Sequence, residues 1–295
     1  MMTRPHSDGS RDLRIEDPSN LWLIHPAGRA LLPHAIRAGI SANAVSVAGL
    51  VLGGAAAACF SQWQDWRFAA LGFLFAIGWL IADGLDGMVA RATGTASPLG
   101  RFLDGTVDHG VFALIYVTLA ASIGTSEAWA LAIAAGVAHA LQSSLYEGER
   151  ARFQRRARGV ARPVLAPLEG NPIVRAYDTV ATSLDRVTLR FERCMARAED
   201  PAAFGQSYAR AAAPTMKWMA WLTANVRVEA IFIACLLGDP RLFWGFEIVV
   251  LSLIAAITIA RHRAVERRLA GGDTPFLAAG GRIAGIISTK EQGHR

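Results

Sequence analysis

The sequence predicts an all-α membrane protein with six transmembrane helices, an N-terminal interfacial amphipathic helix and a cytoplasmic helical insertion. Three observations carry this expectation. Of 295 residues, 53% are hydrophobic and the mean hydropathy is positive, which is too apolar for an ordinary soluble domain of this size. Crossing the hydrocarbon core takes about 20 mostly apolar residues, and six runs supply them, at roughly 43–61, 67–90, 102–123, 127–146, 216–237 and 241–261. Basic residues gather on alternate connections, which fixes an orientation.

The N-terminal forty residues are charged and interrupted by prolines, so they read as no secretory signal. Residues 22–37, "WLIHPAGRALLPHAIR", are half apolar and half basic with Pro26 near the start, as expected of a helix lying in the cytoplasmic leaflet. In the first span Gly49 and Gly53 are four residues apart, a spacing that lets another helix approach closely. Arg11, Arg14, Arg29 and Arg37 precede that span, Arg91 and Arg101 separate the second from the third, and Arg150 to Arg158 follow the fourth. The opposite connections hold little beyond Arg67 and Arg241. Both termini are therefore expected in the cytoplasm, with the protein in the inner (cytoplasmic) membrane.

Between the fourth and fifth spans lies a polar stretch, about 150–213, too long for a simple loop. Within it Ile173, Tyr177, Val180, Leu184, Val187 and Phe191 recur at helical spacing, hence the expected insertion. The tail is glycine-rich. The expected organisation is an N-terminal segment 1–42, a membrane catalytic domain 43–265 and a flexible tail 266–295. Cys59, Cys194 and Cys235 lack metal-ligand spacing and are expected as small buried side chains. The net charge of +6 points to anionic headgroups, since no basic and aromatic interleaving of the nucleic-acid kind is present.

The unusual stretch is "DGLDGMVARATGTASPLGRFLDGTVD", which sets four aspartates between two apolar runs. Ionisable side chains beside the bilayer are costly and mark function by default. At about 100° per residue, Asp83, Asp86, Gly87, Ala90 and Arg91 share one helical face. Gly94 and Pro98 then end the helix, and Gly100, Asp104 and Asp108 step along one side of the next. Four carboxylates would converge across a short cytoplasmic turn. Like charges so placed raise one another's pKa unless cations balance them. Hard oxygen donors with no His or Cys on the same face suit Mg²⁺ or Mn²⁺, and two such ions about 4 Å apart clamp the oxygens of a phosphoryl transfer.

The pattern Asp83-x2-Asp86-Gly87-x2-Ala90-Arg91-x8-Gly100-x3-Asp104-x3-Asp108 resembles the complete signature of the CDP-alcohol phosphatidyltransferase family, in every fixed residue and every gap. The resemblance implies metal-dependent transfer of a phosphate-linked group from a CDP-linked lipid or alcohol donor to an acceptor alcohol, with release of CMP. It implies that Asp83, Asp86 and Asp104 hold two ions against the donor's diphosphate. Asp108 is then the general base for the acceptor hydroxyl and touches one ion as well. Gly87, Ala90 and Arg91 would border the cytidine nucleotide, while Gly100 would hold the helices together. Family members often pair as homodimers, which the glycine-bearing helices would permit.

Other polar residues lie on the apolar spans. His139, Gln142, Tyr146 and Glu149 form a stripe on the fourth span, which either lines the acceptor pocket or hydrogen-bonds between helices. Arg150 follows directly, as a phosphate ligand or a membrane anchor. On the fifth span Asn225 and Glu229 share a face with Arg227 well round from them, and groups this deep should face a cavity or pair. His109 adjoins Asp108 but points about 100° away, as a packing or supporting residue. The acceptor itself stays open, from inositol phosphate or glycerol 3-phosphate to serine. Headgroup transfer from CDP-choline or CDP-ethanolamine to diacylglycerol is the alternative. An aspartate-rich prenyltransferase or a cation transporter fits less well, having respectively two separate aspartate motifs and carboxylates near the bilayer midplane.

Overall fold

The computed structural model describes residues 12–95, 98–161 and 188–271, with the backbone alone for 98–107. Ten helices account for most of them, and there is no strand among the described residues. A π-turn, Asn20–Ile24, leads into α1, His25–Arg37. Then follow α2, Ala42–Phe60, α3, Trp66–Ala92, α4, Pro98–Ile123, and α5, Ser126–Ala157. A short helix α6 covers 188–196, and α7 runs Pro201–Met219. A 3₁₀ turn, Ala220–Leu222, separates it from α8, Ala224–Leu236. Finally α9, Arg241–Gly245, passes through a π-turn, Phe246–Leu251, into α10, Ser252–Ala270.

Four stretches, α2, α3, α5 and α9 through α10, are long and apolar enough to cross a membrane. The bent pair Pro201–Leu222 and Ala224–Leu236, with 44° between its arms, makes a fifth. The described apolar part of α4 runs Asp108–Ile123 and is shorter. The elements start and stop where local chemistry dictates. Ser41 accepts a hydrogen bond from the Ala44 amide and Asp65 from the Arg67 amide, which caps α2 and α3. Gly94, at φ +68°, ends α3, with the Thr95 amide donating back to the Ala90 carbonyl at 3.0 Å. Pro98 then opens α4, where a missing amide costs nothing. Between α8 and α9, the Arg241 guanidinium bonds to Asp239 and holds that carboxyl below its ordinary range.

The chain divides into two compact units. The first joins the N-terminal segment through Glu149 with residues Lys217–Ile257. Its core is apolar and built on close helix approach: Ala56, Ala57, Phe60, Ala76, Trp79, Ile115 and Leu119 are all buried. Gly49 faces Trp79 and Ala82 of α3, while Gly53 faces Val111 of α4, so the small-residue pair seats two neighbours. A methyl group at residue 53 would stand 2.5 and 2.7 Å from the Val111 methyls. Gly53→Ala is therefore expected to destabilise the folded protein by about 1–3 kcal/mol. Gly54→Ala, whose new carbon meets nothing nearer than 3.9 Å, serves as its control. Thermal unfolding in detergent compares them, and equal midpoints would refute this account of the packing.

The second unit comprises Arg150–Met216 and the chain from Thr258 onward. Phe191 of α6 stacks with Phe204 and Tyr208 of α7, and all three are buried. The fully buried Arg156 lies over the Phe191 and Tyr208 rings and donates to Glu192 and Glu266. Arg155 also grips Glu192, so these two arginines of the basic run are spent on internal ion pairs.

Three boundaries differ from expectation. Helix α5 continues through Ala157, α7 begins at Pro201, and α10 continues to Ala270. The polar stretch 150–213 is thus helical at both ends, while 173–187, with five of its six periodic apolar residues, lies outside the described residues. So do residues 1–11 and the tail from 272. Of the three free cysteines, Cys235 is fully buried and Cys59 and Cys194 half-buried.

Candidate active site

Asp83 and Asp86 sit in the last turns of α3, one helical turn apart. Asp86 is buried, and its Oδ2 accepts a hydrogen bond of 2.6 Å from the Ser46 hydroxyl of α2. Asp83, Gly87 and Ala90 are half-buried, and Arg91 is exposed. A carbon added at Gly87 would stand 3.2 Å from an Arg91 guanidinium nitrogen, so the bare backbone there leaves this side chain its place. Gly100, Asp104 and Asp108 follow on α4. Asp108 is half-buried; the side-chain position of Asp104 lies outside the described residues. Carboxylates are the donor type that a divalent metal of the hard class takes, and one of them, Asp86, is steadied by a hydroxyl.

The N-terminal segment lies against the same part of α3. A carbon at Gly28 of α1 would meet the Met88 side chain at 3.3 Å, and one at Gly84 would meet Ile24 at 3.6 Å. Asn225 of α8 holds the segment down, donating to Ser19 Oγ at 2.7 Å and to Asn20 Oδ1 at 2.9 Å. Thr223 donates to Asp17 at 3.1 Å. Asn225 thus sits within a tertiary clasp.

Deeper in the first unit is a polar network that joins α4, α5, the 3₁₀ turn, α8, the second π-turn and α10. Arg227, 1% exposed, donates from Nε to both Glu247 oxygens, at 3.0 and 3.1 Å. Its other nitrogens reach Gln142 Oε1 at 2.8 Å and the Leu222 carbonyl, which the break before α8 leaves without a helical partner. Gln142 donates onward to the Glu247 carbonyl at 2.9 Å and to Ser252 at 3.0 Å. Tyr116 of α4 donates to Glu247 Oε2 at 3.4 Å and meets His139 Nδ1 at 3.3 Å. His139, Gln142 and Arg227 are therefore brought together, and their partners Tyr116, Glu247 and Ser252 went unforeseen. Tyr146 is buried on the same helix, Glu229 is exposed, and Arg150 belongs to the second unit. His109 is exposed, its ring 5.7 Å from that of His139.

Residues 40–165 match the family model of the CDP-alcohol phosphatidyltransferases. Residues 40–165 are thus a region similar to that family's domain. That region, α2 through α5, contains all four aspartates, Ser46, Tyr116, His139 and Gln142, whereas Arg227 and Glu247 come from helices beyond it. Archaetidylinositol phosphate synthase of Aeropyrum pernix is 43% identical over 65 residues, which are 22% of this chain and 33% of the relative. The match thus spans about a third of the length of that relative.

Proposed function

We propose that this protein is a multi-pass phospholipid-synthesising enzyme of the cytoplasmic membrane, with its active site facing the cytoplasm. It transfers a phosphatidyl group from CDP-diacylglycerol to an acceptor alcohol and releases CMP. The observation that carries this reading is the spaced aspartate signature, borne on the last turns of α3 and the first half of α4 inside the matched region. Six spans follow if α4, at 26 residues, crosses as well as the bent pair.

Asp83, Asp86 and Asp104 would hold the metal pair, and Asp108 would touch it. Mg²⁺ or Mn²⁺, when bound there, supplies positive charge against the donor's diphosphate. Ser46 steadies the Asp86 carboxylate by donating to its Oδ2. Gly87, Ala90 and Arg91 border the cytidine moiety, and Gly100 keeps α3 and α4 close. Asp108 takes the proton of the acceptor hydroxyl as that oxygen bonds to the transferred phosphorus. The bond from phosphorus to the bridging oxygen breaks in line, and that oxygen departs on CMP.

The fully engaged Arg227 and Gln142 are poor ligands for an acceptor, because their donors are directed at Glu247, Leu222 and Ser252. Tyr146, Arg150 and Glu229 keep their place as acceptor-site candidates. The relative's name makes an inositol phosphate the first alcohol to offer. Purified protein with Mg²⁺ or Mn²⁺ and CDP-diacylglycerol is given a panel of alcohols while CMP is followed. Release dependent on the metal and on one alcohol is expected. Silence with all of them, followed by turnover of CDP-choline onto diacylglycerol, would overturn the choice of donor; silence with both would overturn the transferase reading.

A further inference from the structure

His139 touches α4 along one line. Its ring lies 5.7 Å from His109, 4.4 Å from Phe112 and 6.0 Å from Tyr116. Those three positions are i, i+3 and i+7, within about 60° of one face. Asp108 is one turn before Phe112, only about 40° round from it. Asp108 thus lies at the edge of the face that His139 packs on, nearest to Phe112 and about 100° round from His109.

The hydrogen-bond polarity of the network bears on which nitrogen of this histidine carries the proton. Glu247 sits beside Arg227 and accepts from it through both oxygens. A carboxylate so placed has only acceptors to offer, and Tyr116 gives its single hydroxyl proton to it. The tyrosine oxygen then offers lone pairs to His139, and Glu247 Oε1 lies 3.9 Å from the same Nδ1, which favours Nδ1 as the donor and Nε2 as the bare nitrogen. The chain of bonds is anchored at both ends. Arg227 is locked to α5 through Gln142 and to the break before α8 through Leu222, and Glu247 stands in a π-turn, a geometry that recurs at functional sites. Each of its members is buried in the apolar core, where an unsatisfied polar group is most costly.

We propose that His139 is a positioning residue for Asp108: Glu247 and Tyr116 hold it as the Nδ1–H tautomer, and its fixed ring sets the rotation of α4. This rests on the transferase reading for its catalytic meaning, though not for the tautomer itself. Arg227, Gln142 and Glu247 then form the frame that orients the base and lie outside the acceptor pocket.

Protein labelled with ¹⁵N-histidine in nanodiscs tests this, the His139 signals being identified by their loss in His139→Gln. The wild type is expected to carry its proton on Nδ1. Tyr116→Phe keeps the ring in its contacts with Phe112 and Phe243, so it isolates the hydroxyl. In that variant the proton moves to Nε2, and kcat for CMP release falls about tenfold while the KM for the CDP donor stays within about twofold. A wild-type proton on Nε2, or a spectrum unmoved by Tyr116→Phe, overturns the assignment. A changed tautomer with unchanged kcat overturns the positioning role. Absence of CMP release from the wild type would refute the transferase reading instead, and the spectrum still decides how His139 is held.

Discussion

Asp108→Asn is expected to lower the turnover of CMP release by about 10²–10⁴-fold, the range spanned by loss of a general base. Donor affinity should fall far less, by under about tenfold, because base removal acts on the transition state and the donor's own contacts remain. Asn is nearly isosteric and keeps one oxygen able to face a metal. Single-turnover kinetics with CDP-diacylglycerol, alongside binding of CDP, separate the two effects. Equal losses in binding and turnover would assign Asp108 to the metal alone and leave the base to another group. The result also bears on His139, whose ring is packed against the turn that follows Asp108.

Asp83→Asn should show the converse. A metal ligand is removed, so metal-dependent binding of the CDP donor is lost by more than the roughly 10–100-fold that an outer partner costs. Raising Mg²⁺ or Mn²⁺ should recover part of it, since the defect is in ion affinity. Calorimetry of CDP binding with and without metal reads this directly. Unchanged donor binding in Asp83→Asn would count against the aspartates as a metal centre. Asp86 is a less clean probe, because its hydrogen bond to Ser46 ties it into α2 and its replacement disturbs packing too.

The spans were legible because hydropathy is a sum over many residues, and α2 and α3 fall where their apolar runs lie. The ends were less so. "YEGERARFQRRA" is charged, which argues against lipid, yet Glu, Arg and Ala are strong helix formers and α5 runs through it to Ala157. The aspartate pattern could be read because its residues are close in sequence and on simple helical faces. Glu247 could not, as a single acid in an apolar run whose partners lie 20 and 131 residues away. Its signal was the need of Arg227 for a counter-charge, which sequence supplies without an address. Asn225 carried a polar-in-membrane signal of the same kind, and its partners proved to be in the N-terminal segment. Ser46 gave no signal at all, since serine in a helix is ordinary.

The clasp at Asn225 has a consequence for how the molecule is made. Its partners Ser19 and Asn20 precede it by 206 and 205 residues. Synthesis proceeds from the N-terminus, with domains taking shape as they emerge. The helices bearing all four aspartates are complete long before α8 is translated, whereas the leading segment gains these anchors only afterwards. A ribosome-stalled chain ending before α8 would own the signature and lack the fastening. Assembly order thus places the closing of the N-terminal segment among the last events in this protein's biogenesis.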